Sequence, residues 1–189
     1  MVLRVSSHVI WYTALSMDGR IADGQDSLDW LEAIGPYEGS ETEFHAFLAT
    51  IDAAVVGAST LRWLLRGGHG WPHGDLPTWL VSHDPGLVDR VGPTEAPFTR
   101  VEGNLEPVFE AIAAAGHRRV WLCGGGDVAG QALALDRIDE VVVTIAPVAL
   151  GKGPSLFEGL ALPHRTFQLA ECRPLGGGAA RLRWERARG

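Results

Sequence analysis

The sequence predicts an α/β fold, a mainly parallel sheet with helices on both faces and an antiparallel hairpin at its C-terminal edge. Three observations carry this expectation. Short apolar β-rich runs alternate with stretches of helical periodicity, the pattern of strands joined by crossover helices. Several strand ends run directly into glycines or small hydroxyl residues that open a helix. The last two β-rich runs, 166–172 and 181–186, face each other across Gly176-Gly177-Gly178.

Residues 9–15 form the first apolar run, ending at the turn Ser16-Met17-Asp18-Gly19. Residues 27–33, with Leu28, Trp30 and Leu31, suit a short helix. Ser40-Glu41-Thr42-Glu43 matches a capping box, in which hydroxyl and carboxylate each satisfy a free backbone amide. Phe44, Phe47, Leu48 and Ile51 then recur at helical spacing and predict one buried face. Residues 52–57 are a second strand, 59–65 a helix and Thr78–Val81 a third strand. Gly67 to Pro77, rich in glycine and proline, reads as a surface loop. Asn104 is placed to cap a helix through about Ala115, with Leu105, Val108, Phe109 and Ile112 inward and Gly116 as its stop. Residues 120–123 are a strand leading into Gly124-Gly125-Gly126, with Asp127 as the expected cap of the next helix. Glu140–Ala146 is another strand. In the final strand Leu182 and Trp184 are expected inward, with Arg181, Arg183, Arg186 and Arg188 on its outer face.

The chain has 189 residues, which fits a single domain over 1–189. Its net charge is −7, and an acidic chain is a poor match for nucleic acid or an anionic membrane surface. No apolar run approaches a membrane span, and the first residues lack the apolar core of a signal peptide. Two cysteines, Cys123 and Cys172, are too few for a disulfide framework or a zinc cage. A cytoplasmic protein with reduced thiols is the resulting expectation. His69 and His73 are four apart, but Gly70, Pro72 and Gly74 break any helix that would align them, so no metal site is expected.

The strongest chemical feature is the strand 120–123, its three glycines and the helix start beyond them. Glycine lets the backbone approach a ligand closely, and a helix N-terminus presents free amides to a pyrophosphate. A tight strand-to-helix turn with no ligand is the alternative. Gly57-Ala58-Ser59-Thr60 has the same two readings, phosphate contact or ordinary turn with Ser59 as cap. Val81-Ser82-His83 marks a third strand end. Three such ends in one open sheet can together hold an extended dinucleotide, since ligands of these sheets bind beyond the carboxyl ends of the strands.

At this point the sequence resembles the dihydrofolate-reductase-like superfamily, in the branch containing the C-terminal reductase domain of the bifunctional riboflavin-biosynthesis protein. The matching stretches are residues 16–22, Asp29-Trp30-Leu31, residues 52–60 and 122–130, Asp139-Glu140 and residues 147–157. The resemblance implies NADPH as hydride donor. It places Ala14, Gly57, Ser59, Thr60, Val81 and Ser82 along the cofactor and Gly124, Gly125, Gly126 and Val128 at its pyrophosphate. It puts residues 16–24 beside the nicotinamide and implies a homodimer. Asp29 resembles the acidic residue that helps to protonate the substrate, which a buried carboxyl of raised pKa can do; capping the helix is its other reading. Asp18 reads first as a turn residue and second as a catalytic candidate.

The sequence departs from the branch at several points. Ala58 stands where many relatives have an arginine for the cofactor's 2′-phosphate, leaving Arg62, His83 and Arg100 as substitutes. The Asp-Asp-Pro-x-Leu-Thr-x-Arg motif of the pyrimidine reductases is absent, and Leu122-Cys123 replaces an acidic residue before the glycines. No deaminase motif is present. The chain thus looks closer to the stand-alone members of the branch. An NADPH-dependent reductase acting on a pterin or ribosylaminopyrimidine is the expected function. A non-catalytic nucleotide-binding protein on the same fold is the alternative.

Overall fold

The computed structural model describes residues 7–37, 39–67, 70–159 and 164–187. Along the chain come β1 (His8–Ser16), α1 (Asp29–Ile34), α2 (Ser40–Leu48), β2 (Ala53–Gly57), α3 (Ala58–Leu64) and β3 (Thr78–Val81). These are followed by β4 (Phe98–Val101), α4 (Glu106–Ala114), β5 (Arg119–Gly124), α5 (Gly126–Ala134), β6 (Glu140–Ala146), β7 (Phe167–Pro174) and β8 (Ala180–Arg186). The eight strands form one sheet in the order β4-β3-β2-β5-β1-β6-β8-β7. Strands β1 to β6 are parallel, and β8 runs antiparallel to both β6 and β7. The sheet is therefore the expected one, mostly parallel with a terminal antiparallel hairpin. Among the described residues no helix is long and apolar enough to cross a membrane.

The central strands are covered on both faces. On one face α4 and α5 lay Val108, Phe109, Ile112, Val128, Ala129 and Ala132 over Val9, Trp11, Val55, Val120 and Leu122. Burying a side chain the size of Phe109 or Ile112 stabilises by roughly 1.5–3 kcal/mol. On the other face α2 packs Phe44, Phe47 and Leu48 against Ile10, Ala54, Trp121 and Val142. Beside it α3 places Leu61 over Val56 and Leu80. β2 is buried along its whole length, as a parallel strand sandwiched between helices must be.

Several local expectations are corrected. The N-cap of α2 is Gly39, in a left-handed conformation, and Ser40 is already helical, so the capping box does not form. Helix α2 also ends at Leu48, and Ile51 lies beyond it. The N-cap of α5 is Gly125; Asp127 sits in the first turn and accepts from Gln131 Nε2 at 2.8 Å. Ser59 likewise lies inside α3, whose N-cap is Gly57. The N-cap of α4 is Leu105; Asn104, one residue earlier, accepts from the Glu106 amide at 2.9 Å. Strand β4 was not foreseen. Its sequence Phe-Thr-Arg-Val has no strong apolar signal because it is a half-exposed edge strand.

The largest correction concerns the arginines of β8. Arg181 is buried, Arg183 is half-buried, and Arg186 shares the parity of Leu182 and Trp184; Arg188 lies outside the described residues. Arg181 donates to Glu43 Oε2 at 2.7 Å and to Thr144 Oγ1 at 3.1 and 3.2 Å, and its guanidinium lies 5.3 Å from the Tyr12 ring centroid. Arg173 donates to the other oxygen of Glu43, Oε1, at 2.8 Å. Glu43, freed from a capping role, thus ties α2 to the terminal hairpin. A charge as buried as Arg181 is tolerated only because it is paired and hydrogen-bonded. Glu43→Ala is expected to lower stability by about 1–3 kcal/mol, between the values for exposed and fully buried pairs, read as a lower urea midpoint. Substituting the more exposed Glu185 is expected to cost far less.

Candidate functional site

The site lies where the sheet reverses its winding. From β2 the chain steps outward through β3 to β4, then returns to insert β5 between β2 and β1. Beyond the carboxyl ends of these strands runs a cleft of two lobes. The first, about 600 Å³, is lined by Gly57, Ala58, Arg62, Val81, Ser82 and His83, with Val128 and Gln131 of α5 opposite. The second, about 450 Å³, is walled by Trp11, Thr13, Ile21, Leu28, Trp63 and Cys123, with Gly124 and Gly126 below. Ser59, Gly125 and Asp127 line both lobes and form the waist between them.

The waist depends on absent side chains. A Cβ on Gly57 would lie 2.9 Å from Val128 Cγ2 and 3.1 Å from the Gly124 carbonyl oxygen. Gly124 has φ +134°, and a Cβ there would lie 3.0 Å from Thr60 Oγ1. One on Gly125 would stand 3.5 Å from both Ser59 Oγ and Thr60 Oγ1. The two hydroxyls at the start of α3 therefore lie directly over the glycine turn. The first-turn amides of α5 beside them have no acceptor within the helix. This is an anion-accepting arrangement of hydroxyls and amides at a helix N-terminus.

Nearly all the residues expected along a cofactor meet at this cleft: Gly57, Ser59, Val81, Ser82, Gly125 and Val128 in the first lobe, Thr60, Gly124 and Gly126 in the second. Ala14 lines neither. Its neighbour Thr13 faces the second lobe, so strand alternation turns the Ala14 side chain to the opposite face. Gly126 has a further duty. A Cβ on Gly126 or on Gly130, one turn later, would strike the backbone of Ser155 or Glu158 respectively. These glycines admit the 155–158 segment onto α5, and the Glu158 amide donates to the Gly126 carbonyl at 2.9 Å.

The basic side chains at the outer end of the first lobe are paired. Arg62 meets Asp84 at 3.1 Å. His83 and Arg100 meet Glu102, each at 3.1 Å, and their hydrogen bonds hold its carboxyl below the usual range. Arg100 also donates to the Ser82 carbonyl at 2.9 Å.

The two carboxylates expected near the chemistry sit differently from that expectation. Asp29 is exposed in the first turn of α1 and does not line the cleft; its amide donates to Ser27 Oγ at 3.1 Å. Asp26, three residues earlier, lines the second lobe instead, at φ +56°. Asp18 accepts from Ser16 Oγ at 2.6 Å and from the amides of Leu150 and Gly151 at 2.9 and 2.7 Å. These bonds, the Ser16 hydroxyl first, hold its pKa at about 2, so at neutral pH it is a carboxylate that clamps two loops. The Met17 amide to Val148 and the Ile21 amide to Pro154 complete the latch. Cys123 lines the second lobe, and burial pushes its thiol up to about 12, leaving it uncharged.

Sequence reading missed Trp11, Trp63, Asp26 and Glu158 as lining residues. Trp11 was visible only as a strand residue, and Glu158 reaches the cleft through a loop whose path no local pattern reveals. His73 packs edge-on to Phe44, Trp71 and Trp121, and that burial lowers its pKa; His69 lies outside the described residues.

The sheet order and the glycine waist define a protein of the dihydrofolate-reductase-like fold. Residues 71–180 match the model of the RibD C-terminal domain, and the chain belongs to that family. Among curated relatives it is 26% identical over 152 residues to the uncharacterized protein YwjB of Bacillus subtilis, covering 80% of this chain and 83% of that one. It is 30% identical over 154 residues to the riboflavin biosynthesis protein RibD of Mycobacterium tuberculosis, covering 78% of this chain but only 44% of that longer protein. Among solved structures, a putative riboflavin biosynthesis protein from Shewanella superposes with TM-score 0.79 at 28% identity, covering 96% of this chain and 99% of that one. The fold also extends to dihydrofolate reductase from Enterococcus faecalis, solved with NADP(H), at TM-score 0.65 and 13% identity over 96% and 97% of the two chains.

The Asp18 clamp gives a pH prediction. The folded pKa lies below the ordinary value of 3.8, so the clamp's contribution is complete above that value and is lost as pH falls through about 2. Hydrogen exchange at the Leu150 and Gly151 amides is expected to quicken across that window. Asp18→Asn is expected to show the faster exchange already at neutral pH.

Proposed function

We propose that this chain is a pyridine-nucleotide-dependent reductase that binds NADPH along the cleft and reduces a small heterocycle, of pterin or ribosylaminopyrimidine type, in the second lobe. The observation that carries this reading is the single two-lobed cleft crossing the carboxyl ends of β2, β5 and β1, with the Ser59–Gly125 waist between the lobes. Membership of the RibD C-terminal domain family, and the likeness to a reductase solved with NADP(H), support it.

The residues present fit such a dinucleotide. Gly57, Gly124 and Gly125 leave a cradle that Cβ atoms would fill. The hydroxyls of Ser59 and Thr60 and the amides opening α5 suit its pyrophosphate. Arg62 and His83 stand in the first lobe to meet a 2′-phosphate in place of the arginine that Ala58 lacks. Both are in exposed ion pairs, worth about 0–1 kcal/mol, which a phosphate can displace. When bound, the cofactor supplies a hydride. The chain's part is to hold the acceptor ring between its indole walls and to keep water from it. Asp26, facing the second lobe, replaces Asp29 as the carboxyl best placed to handle a proton.

A homodimer belongs to the same proposal, supported by the exposed edge strand β7, where Leu169 is 56% exposed. The free thiols of Cys123 and Cys172 suit a cytoplasmic setting. A nucleotide-binding protein without turnover is the second reading. Its support is that Asp18 is committed to a clamp and Asp29 lies off the cleft.

The test is a titration with NADPH and NADH followed by tryptophan fluorescence, since Trp11 and Trp63 wall the second lobe. Saturable quenching with NADPH preferred is the expected result. Arg62→Ala is expected to weaken NADPH by about tenfold and to leave NADH unchanged. Binding of neither nucleotide would overturn the proposal, and NADPH oxidation by a substrate separates the catalytic reading from the non-catalytic one.

A further inference from the structure

The strap from Gly153 to Glu158 is packed between two parts of the cleft. On one side it meets the loop after β1. Arg20 bridges Ser155 in antiparallel fashion, the Ile21 amide donates to the Pro154 carbonyl at 3.0 Å, and Arg20 Nη1 donates to the Gly153 carbonyl at 3.0 Å. On the other side it lies on the first turns of α5. A Cβ on Gly126 would strike the Ser155 carbonyl oxygen, and one on Gly130 the Glu158 carbonyl oxygen. Contact this close leaves the strap little room to shift along the helix.

The strap reaches the waist through one peptide unit. The Glu158 amide donates to the Gly126 carbonyl at 2.9 Å. The unit joining Gly126 to Asp127 is trans and planar, so its carbonyl and the Asp127 N–H point in opposite directions. A donor that holds the Gly126 carbonyl therefore also fixes the direction of the Asp127 N–H. That N–H belongs to the first turn of α5 and has no acceptor within the helix, and Asp127 lines the waist. The Glu158 side chain shapes the same turn. Its Oε1 accepts from the Ser155 amide and, at 2.7 Å, from the Ser155 hydroxyl. The hydroxyl also lies 2.9 Å from the Phe157 carbonyl, but it has one proton, and the carboxylate is the stronger acceptor. The two Ser155 bonds, with the charge of Arg20 nearby, hold the Glu158 carboxyl below its usual range. These bonds close the turn from Ser155 to Glu158 and set the Glu158 amide against α5.

We propose that Glu158 is a positioning residue for the pyrophosphate of a bound dinucleotide: its carboxylate folds the strap, and the folded strap aims the Asp127 N–H into the waist. Glu158 acts through the Gly126–Asp127 peptide unit and not by contact with the phosphates, whose charge its own carboxylate would repel. The inference rests on the reading of the cleft as a dinucleotide site and deepens it.

The test titrates the full chain by calorimetry with three probes: NADPH, 2′-phospho-ADP-ribose, which keeps the pyrophosphate but lacks the nicotinamide, and 2′-AMP, which lacks both. NADH, ADP-ribose and adenosine take their places if NADH alone binds. Glu158→Ala is expected to weaken the first two probes equally, by about tenfold, and to leave the third unchanged. Glu158→Gln keeps an acceptor oxygen for both Ser155 bonds and is expected to recover most of that loss. Ser155→Ala removes only the hydroxyl bond and is expected to give a smaller loss of the same pattern, about threefold, which keeps the test decisive should Glu158→Ala fail to fold. A loss confined to NADPH would put Glu158 in direct contact with the nicotinamide end and overturn the inference. Equal weakening of all three probes, a loss that glutamine does not recover, or no loss in any variant overturns it too, while the reductase reading stands. If the unsubstituted chain binds neither NADPH nor NADH, that reading falls, and this inference with it.

Discussion

The structure depends on how closely backbone can approach backbone around one strand-to-helix turn. β5 ends and α5 begins within Gly124-Gly125-Gly126. On one side the hydroxyls of Ser59 and Thr60 press onto the turn, and on the other the 155–158 segment lies against Gly126 and Gly130. Gly57 completes the set by letting β2 meet the same turn. A methyl group on Gly57, Gly124, Gly126 or Gly130 would push apart elements that come from three separate parts of the chain. The cleft exists because they meet without side chains between them.

Around that turn the two ends of the cleft differ in their lining. Arg62, His83 and Arg100 gather at the end of the cleft between β3 and α3, each held by a carboxylate that keeps it oriented and only loosely engaged. The indoles of Trp11 and Trp63 and the carboxylate of Asp26 stand at the end nearest β1. The clamp at Asp18 and the strap packed on α5 fix the loops that floor the second lobe. Its lining is therefore held by strands, a helix start and mutually bonded loops. Such support preorganises a binding surface better than a free loop would.

Much of this was legible in the residues. Apolar and β-rich runs separated by helical periodicity located seven of the eight strands and four of the five helices to within a residue or two, and the glycine turns marked the cleft. The sequence missed what depends on partners distant in the chain. Glu43 has the spacing of a capping box, yet Arg173 and Arg181 outcompete the local amide because burial strengthens their attraction to it. Asp29 matched a family position, but six residues of helix turn it outward and bring Asp26 to the cavity. β4 was invisible because an edge strand with one exposed flank needs little apolar character.

The position of β1 at the middle of the sheet has a consequence for the order in which the protein can be made. Val9 pairs with Val120 on one side, and Ile10 with Glu140 on the other. β1 therefore leaves the ribosome well before either neighbour is synthesised, and Arg181 finds Glu43 later still. Until then an apolar strand stands with both edges open, the state in which nascent chains most readily pair with the wrong partner. Closure of this sheet is thus an event of late synthesis, and the nascent chain's exposure to aggregation is set by how long β1 is kept waiting.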